Sequence, residues 1–373
     1  MKGKSITPPV HLSATYQFDN SNELIDVVET HDGYIYSRWD NPTVVAVETD
    51  MSALEGYSHC LGFASGMAAI TTALMAHVQA GCRVIAMREI YGATFEFLND
   101  VLPGLGVKPE FFNCWETERI LQEIDQGVDI LYLETPTNPL LRIVDVERLA
   151  QAAHQKGAVV MLDSTFASPI NQRPVELGVD VVLHSATKYI GGHHDVTAGF
   201  ACCGESAYQR IWKRRKILGG IMDPMTAFLV KRSLETLELR VQRQNDNAMA
   251  IAEFLEGHSK IGATHYPGLA SHPDHHIAQR QMIGFGGMVS FEIDGDFDAT
   301  KTFMDQLEVI KLATSLGGVT SLANQPVTNT HVGLSAENRD KAGINASLVR
   351  LSVGLEPVEA LIGDLEQALA AVD

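Results

Sequence analysis

One stretch of the chain carries four side chains that could do chemistry together. It runs from Ala158 to Phe200 as AVVMLDSTFASPINQRPVELGVDVVLHSATKYIGGHHDVTAGF. Val159–Leu162 and Val181–Leu183 read as strands. Asp163 ends the first, and Ser185, Thr187 and Lys188 closely follow the second. In an open parallel sheet the strand C-termini face the ligand crevice. A carboxylate, two hydroxyls and an amine therefore converge on one pocket. That set suits pyridoxal phosphate (PLP): the amine forms a Schiff base, the carboxylate pairs with the pyridinium nitrogen, and the hydroxyls hold phosphate. Taken singly, an aspartate at a strand end is commonplace and a lysine is usually a solvated surface residue.

The elements that must position these groups are βα units. Leu61 to Met67 is a strand or loop feeding the apolar helix 68–78, and Gly81 stops it. Backbone N–H groups at such a helix start, with Ser65 beside them, bind phosphate readily, and Gly66 lets an anion approach the backbone. Strands over 84–87, 108–112 and 130–134 alternate with helices over 94–102, 118–124 and 146–156. Repeated units of this length predict a mostly parallel sheet with helices on both faces. Tyr91 and Asn138, in loops after two of these strands, then share a face with Asp163 and Lys188. Residues 1–40 read as an irregular arm with one short helix near 23–29. It ends in Tyr36-Ser-Arg38-Trp39-Asp40-Asn41-Pro42, ahead of a helix over 44–54. From about 225 the pattern becomes one long helix over 225–237 that continues through 243–255. Beyond 262, strands at 288–291 and 348–353 and helices at 299–307 and 358–371 predict a smaller α+β domain. The expected division is an arm at 1–40, a large domain at 41–239 and a small domain at 240–373.

Composition narrows the class. The 373 residues are 45% hydrophobic and 20% charged, which describes a globular chain. Lys and Arg number 28 against 46 Asp and Glu, a formal charge of −18, which argues against nucleic acid or an anionic membrane as partner. No apolar run approaches the ~18 residues needed to span a bilayer. The first residues lack an apolar signal core, so a cytoplasmic location is expected. Five cysteines without framework spacing read as reduced thiols. His193-His194-Asp195 and His272 to His276 lack the usual zinc spacings, and no metal is expected.

Eight stretches in order resemble the cystathionine γ-synthase/γ-lyase family of PLP enzymes: YSRWDNPT, FASGMAAI, EIYGATFEF, ETPTNP, MLDSTFASP, HSATKYIGGHHDVTAGF, SLGGVTSL and VRLSVGLE. The resemblance covers about Thr7 to Ala370. It implies the fold type I architecture of PLP-dependent transferases, α/β, with a mostly parallel large domain and a smaller C-terminal α+β domain. It implies that Lys188 is the Schiff-base lysine and Asp163 the partner of the ring nitrogen. Ser65, Gly66, Met67, Ser185 and Thr187 resemble the phosphate cradle. Tyr36 and Arg38 resemble a pair that reaches a neighbouring subunit's phosphate, implying shared active sites in a homotetramer built as a dimer of dimers. Tyr91 resembles the tyrosine that stacks on the ring and relays protons, and Asn138 the residue near the ring hydroxyl. Arg350 with Ser315 resembles the site for the substrate α-carboxylate, a task a guanidinium fork suits.

The chain departs from the family at positions that bear on substrate. Users of O-succinylhomoserine carry arginines where this chain has Trp39 and Glu96. Cystathionine users commonly read SLGGVESL, whereas Thr320 stands here. Methionine γ-lyases usually have a cysteine where this chain has Ala93. The arm before Thr7 is also shorter than usual in the family. The Arg-to-acid change suggests an acidic rim from Asp40 and Glu96, and so a substrate with a cationic distal group such as canavanine, with Trp39 stacked on it; the alternative is that Glu96 simply faces solvent on a helix. The expected activity is a γ-lyase reaction releasing ammonia and a 2-oxo acid. The alternative is γ-replacement, as in cystathionine γ-synthase or an O-acylhomoserine sulfhydrylase. An inert PLP-fold binding protein is the reading outside enzymes, and it has no need of the full set Lys188, Asp163, Tyr91 and Arg350.

Overall fold

The computed structural model describes residues 5–328 and 344–372. Parts of the expected arm and small domain, residues 1–4, 329–343 and 373, lie outside the described residues.

Seven strands form the first sheet: β1 (His59–Phe63), β2 (Arg83–Met87), β3 (Lys108–Phe112), β4 (Ile130–Glu134), β5 (Val159–Asp163), β6 (Val181–Ser185) and β7 (Gly199–Cys203). Their order is β1-β7-β6-β5-β4-β2-β3. The pairs from β6 through β3 are parallel, and β7 is antiparallel to both β6 and β1. The change of direction has a simple cause. A parallel connection needs a crossover, usually helical, and residues 186–198 after β6 contain no helix. The chain turns back on itself there, with Lys188 inside the return.

Both faces of this sheet are covered, so its strands are apolar throughout instead of alternating. Leu61, Val181, Leu183 and Ala201 pack on one side with the helices Gly66–His77, Val146–Gln155 and Glu205–Leu218. Val182, Phe200 and Cys202 pack on the other with the helices Pro42–Glu55 and Pro224–Leu234. β7 lies outside the strands expected from sequence: Gly-Phe-Ala-Cys-Cys has no β-branched residue to mark it. All five cysteines are buried and free.

The second sheet comprises β8 (Ile261–His265), β9 (Met288–Ile293), β10 (Lys311–Leu312), β11 (Leu322–Asn324) and β12 (Leu348–Ser352), in the order β10-β11-β12-β9-β8. Here one face is apolar and one polar. Val349 and Leu351 enter a core with Ile251, Leu255, Phe303, Leu365 and Leu369. By the two-residue period of a strand, Arg350 and Ser352 face the other way. The helix read over 225–255 is two, Pro224–Leu234 and Leu237–Glu256. The second begins in one core with Leu237 and Val241 and ends in the other with Ile251 and Leu255. The helix read over 94–102 is α-helical only from Gly92 to Glu96, then loosens to a π turn and tightens to a 3-10 turn where Pro103 removes a donor.

One buried cation ties the segment before the first sheet to its edge. Arg215 donates to Glu48 at 2.5 Å, to Asp40 at 3.0 Å and to the carbonyls of Gly62 and Trp39 at 3.0 and 3.1 Å. Asp40 also accepts from the Trp212 indole at 2.9 Å. Burial, more than any neighbour, lifts Asp40 to about 6, against the pull of Arg215. Replacing Arg215 with methionine leaves two carboxylates without their cation, and should lower stability to urea by about 3–5 kcal/mol. A loss under about 1 kcal/mol in urea unfolding would contradict this account of the cluster.

Candidate active site

The C-terminal ends of β4, β5 and β6 deliver the first groups. Glu134 and Asp163 are direct partners across β4 and β5, so their side chains leave the same face about 4.8 Å apart. Asp163 accepts from the Thr165 N–H at 3.0 Å, and the Thr165 hydroxyl accepts from the Ser185 N–H at 2.8 Å. Ser185 thereby fixes the start of the return that carries Lys188. Lys188 donates to the Ser315 hydroxyl at 3.0 Å.

Ser315 belongs to the loop before β11 and adopts φ 80°, a left-handed backbone that costs a non-glycine residue of order 1 kcal/mol. Neighbours hold it there. Gly317 N–H donates to Ser352 at 2.8 Å, Val319 N–H to the Gly192 carbonyl at 2.9 Å, and Gln244 to the Gly318 carbonyl at 2.8 Å. Gly317 must be glycine, because a Cβ would stand 2.6 Å from the Tyr189 nitrogen. Arg350 arrives from the polar face of β12 and donates to Asn138 at 2.8 Å and weakly to the Ser315 carbonyl at 3.5 Å. Tyr91 presents its N–H to Glu134 at 2.7 Å, and its side chain is half exposed. Hydrogen bonds and strand pairing thus link Tyr91, Glu134, Asp163 and Ser185 on one side, and Lys188, Ser315, Arg350 and Asn138 on the other.

Charge in this site is poorly satisfied by the protein alone. Burial, then the nearby Arg350, lowers Lys188 to about 8 against the attraction of Asp163. Burial lowers Arg350 to about 10, and among the described residues its Nε has no hydrogen-bond partner. Burial raises Asp163, opposed by the Thr165 hydrogen bonds, and raises Glu134, with Asp163 adding to the effect. These groups suit a ligand that brings its own charges: a protonated ring nitrogen for Asp163, a carboxylate for Arg350.

The sequence-predicted phosphate groups also lie together. Ser65 caps the helix Gly66–His77 by accepting from Ala68 N–H at 3.1 Å. Among the described residues, the Gly66 and Met67 N–H groups have no protein acceptor. A Cβ on Gly66 would come within 2.8 Å of the Ser185 Cβ, so the helix start and the end of β6 are in close contact. The Thr187 hydroxyl bonds the Ala198 backbone at 3.1 and 3.3 Å. These residues fit PLP: a helix N-terminus for phosphate, a buried carboxylate for the ring nitrogen and a desolvated amine for the aldehyde.

Other candidates lie elsewhere in this chain. Arg38 donates to the Lys216 carbonyl at 2.5 Å and stacks over Tyr36 at 5.4 Å. Trp39 packs edge-on to Trp212 at 6.2 Å, and the Lys216 ammonium lies 4.1 Å from its ring centre. Glu96 is exposed at the end of its short helix. The expected acidic rim needs correction, because Asp40 turns inward to Arg215 and Trp212. The histidine pairs have other partners: His193 bonds the Gly191 carbonyl at 2.8 Å, and His272 accepts from Asp274 N–H at 3.2 Å. Glu134 and Thr165 were overlooked in the sequence. The signal for Glu134 was present, since it ends β4 as Asp163 ends β5.

A large, mostly parallel sheet, a smaller second sheet and a half-buried lysine between them define a PLP-dependent enzyme of fold type I. The chain belongs to the Cys/Met metabolism PLP-dependent enzyme family, whose sequence model matches residues 2–370. It is 43% identical over 370 residues to a chloroplastic cystathionine γ-synthase of Arabidopsis thaliana, a match covering 99% of this chain and 66% of that protein. It is 39% identical to an L-methionine γ-lyase of Fusobacterium nucleatum, covering 99% and 94% of the two chains. A cystathionine γ-synthase from Xanthomonas oryzae, solved with aminoacrylate and cysteine, superposes with a TM-score of 0.94 at 37% identity, covering 99% and 94%. Among the described residues, no helix is long and apolar enough to cross a membrane.

Only an uncharged amine condenses with an aldehyde. PLP added to cofactor-free protein should therefore be taken up at a rate that rises with pH and levels off above about 8, followed by visible absorbance. A rate still climbing about tenfold per pH unit above pH ~9 would mean that Lys188 keeps its ordinary lysine pKa.

Proposed function

We propose that this enzyme removes the Cγ substituent of an amino acid as a γ-lyase, releasing ammonia and a 2-oxo acid. The observation that carries the reading is the contact between Lys188 and Ser315, with Arg350 on the carbonyl of the same serine. An amine that moves protons and a guanidinium that receives an α-carboxylate thus meet at one residue.

In this reading PLP, when bound, supplies an electron sink for carbanions. Asp163 holds a proton on the ring nitrogen. The Gly66 and Met67 N–H groups, with Ser65, Ser185 and Thr187, receive the phosphate. Asn138 would serve the ring hydroxyl, and Tyr91 would pack on the ring and relay protons. Arg350 and Ser315 bind the substrate carboxylate, orienting Cα towards Lys188. The lowered pKa of Lys188 suits it to take a proton from Cα and return it near neutral pH. Tyr36 and Arg38 serve the phosphate of a neighbouring subunit, in a homotetramer of paired dimers with shared sites. A cytoplasmic setting agrees with the free cysteines.

A cationic γ-substituent such as canavanine's is now supported by Glu96 alone. With Asp40 paired to Arg215 and the Trp39 face covered by Lys216, a neutral or anionic substituent fits better. The second reading is γ-replacement, favoured by the 43% identity to the plant cystathionine γ-synthase.

A panel of methionine, homocysteine, cystathionine, canavanine and O-acetyl- and O-succinylhomoserine, each with and without cysteine, tests these readings. A γ-lyase gives 2-oxo acid without cysteine from at least one uncharged substituent. Product only in the presence of cysteine assigns γ-replacement, and canavanine as best substrate would restore the cationic reading. On the best substrate, Arg350→Lys should raise KM about 10- to 100-fold, more than it lowers kcat, because a point charge cannot replace the fork.

A further inference from the structure

Glu134 ends β4 as Asp163 ends β5, yet it has a different partner. It is 5% exposed, and among the described residues its recorded hydrogen bond is to backbone: Oε2 accepts from the Tyr91 N–H at 2.7 Å. Tyr91 begins the helix Gly92–Glu96 without any side-chain cap, at φ −51° and ψ 132°. Its carbonyl accepts from the Thr94 and Phe95 N–H groups at 2.9 and 3.0 Å. The Glu134 carboxylate therefore supplies the side-chain bond from the sheet that sets where the helix starts. Nothing else polar in the short helix does this. Thr94 is buried, but its hydroxyl points to the Met67 sulfur at 3.6 Å.

Tyr91 stands just ahead of a five-residue helix with its ring half exposed, so packing constrains it less than it would a buried ring. Its aim follows from its backbone, and its backbone follows from Glu134. We propose that Glu134 is a positioning residue that places the Tyr91 side chain at the reacting centre through this one hydrogen bond to the Tyr91 N–H. The role needs an acceptor oxygen and no charge. A neutral carboxylic acid or a carboxamide keeps that oxygen, and an alanine does not. The inference rests on the reading of Tyr91 as facing the ring.

Three variants of the holoenzyme test it: Glu134→Gln, Glu134→Ala and Tyr91→Phe, with the double variant of the last two. In Glu134→Ala, amide hydrogen exchange over residues 91–95 should quicken at least about tenfold. Its kcat should fall about 30-fold with KM nearly unchanged. Adding Glu134→Ala to Tyr91→Phe should cost less than about threefold more, because both act through one hydroxyl. Glu134→Gln should stay within about threefold of the parent in kcat and retain its exchange protection. Unchanged exchange in Glu134→Ala, multiplicative losses in the double variant, or a loss in Glu134→Gln as large as in Glu134→Ala would each overturn the proposal. If Glu134→Ala does not fold, Glu134→Gln decides alone: retained kcat supports the acceptor role, and a loss beyond about tenfold refutes it. Exchange needs no turnover. Quickened exchange in Glu134→Ala with an undiminished kcat in Tyr91→Phe would show the reading of Tyr91 to be at fault, with the hydrogen bond intact.

Discussion

The structure depends on one joint between its two sheets, made where a half-buried lysine and a buried arginine meet a strained serine. Lys188 comes from the return between β6 and β7, Arg350 from the polar face of β12, and Ser315 from the loop between β10 and β11. None of the three could hold its position from local sequence alone. The lysine needs the antiparallel turn-back, the arginine needs the two-residue alternation of β12, and the serine needs a left-handed backbone held by Gly317, Val319 and Ser352. Two like charges face each other there and both are desolvated, which favours their neutral forms. An apolar pair would be easier to bury. The arrangement makes sense as a receptor, in which an incoming carboxylate supplies the counter-charge that the protein withholds.

Much of this could be read from sequence, and the reasons differ by residue. Asp163 and Lys188 were legible because strand ends in a parallel sheet face one crevice, and the strands flanking them are short and strongly apolar. Arg350 was legible through the stretch VRLSVGLE, whose resemblance to the family implied the α-carboxylate site. Glu134 closes the strand read over 130–134 in the same way, but its partner is the backbone of Tyr91, 43 residues earlier, which no local pattern shows. Asp40 was misread for a reason no local pattern removes. Its partner Arg215 lies 175 residues away, and only the folded chain shows that a helix end turns this carboxylate inward. β7 escaped because Gly-Phe-Ala-Cys-Cys lacks the β-branched residues that mark β5 and β6.

Trp39 shows how a substitution is interpreted through its neighbours. Read alone, an aromatic in place of an arginine removes a cation. In the fold, the Lys216 ammonium sits 4.1 Å from the Trp39 ring centre and 4.6 Å from that of Trp212, so a positive charge remains beside the position. An ammonium over two indoles is held by ring electrons, an attraction of about 0.5–2 kcal/mol that leaves its hydrogens available. A fixed guanidinium fork would instead recognise one planar anion. The change from fork to point charge therefore bears on geometry more than on sign, and a substituent without a planar carboxylate loses least by it. That is why the missing arginine, taken with the inward turn of Asp40, counts against a cationic substrate more firmly than against an anionic one.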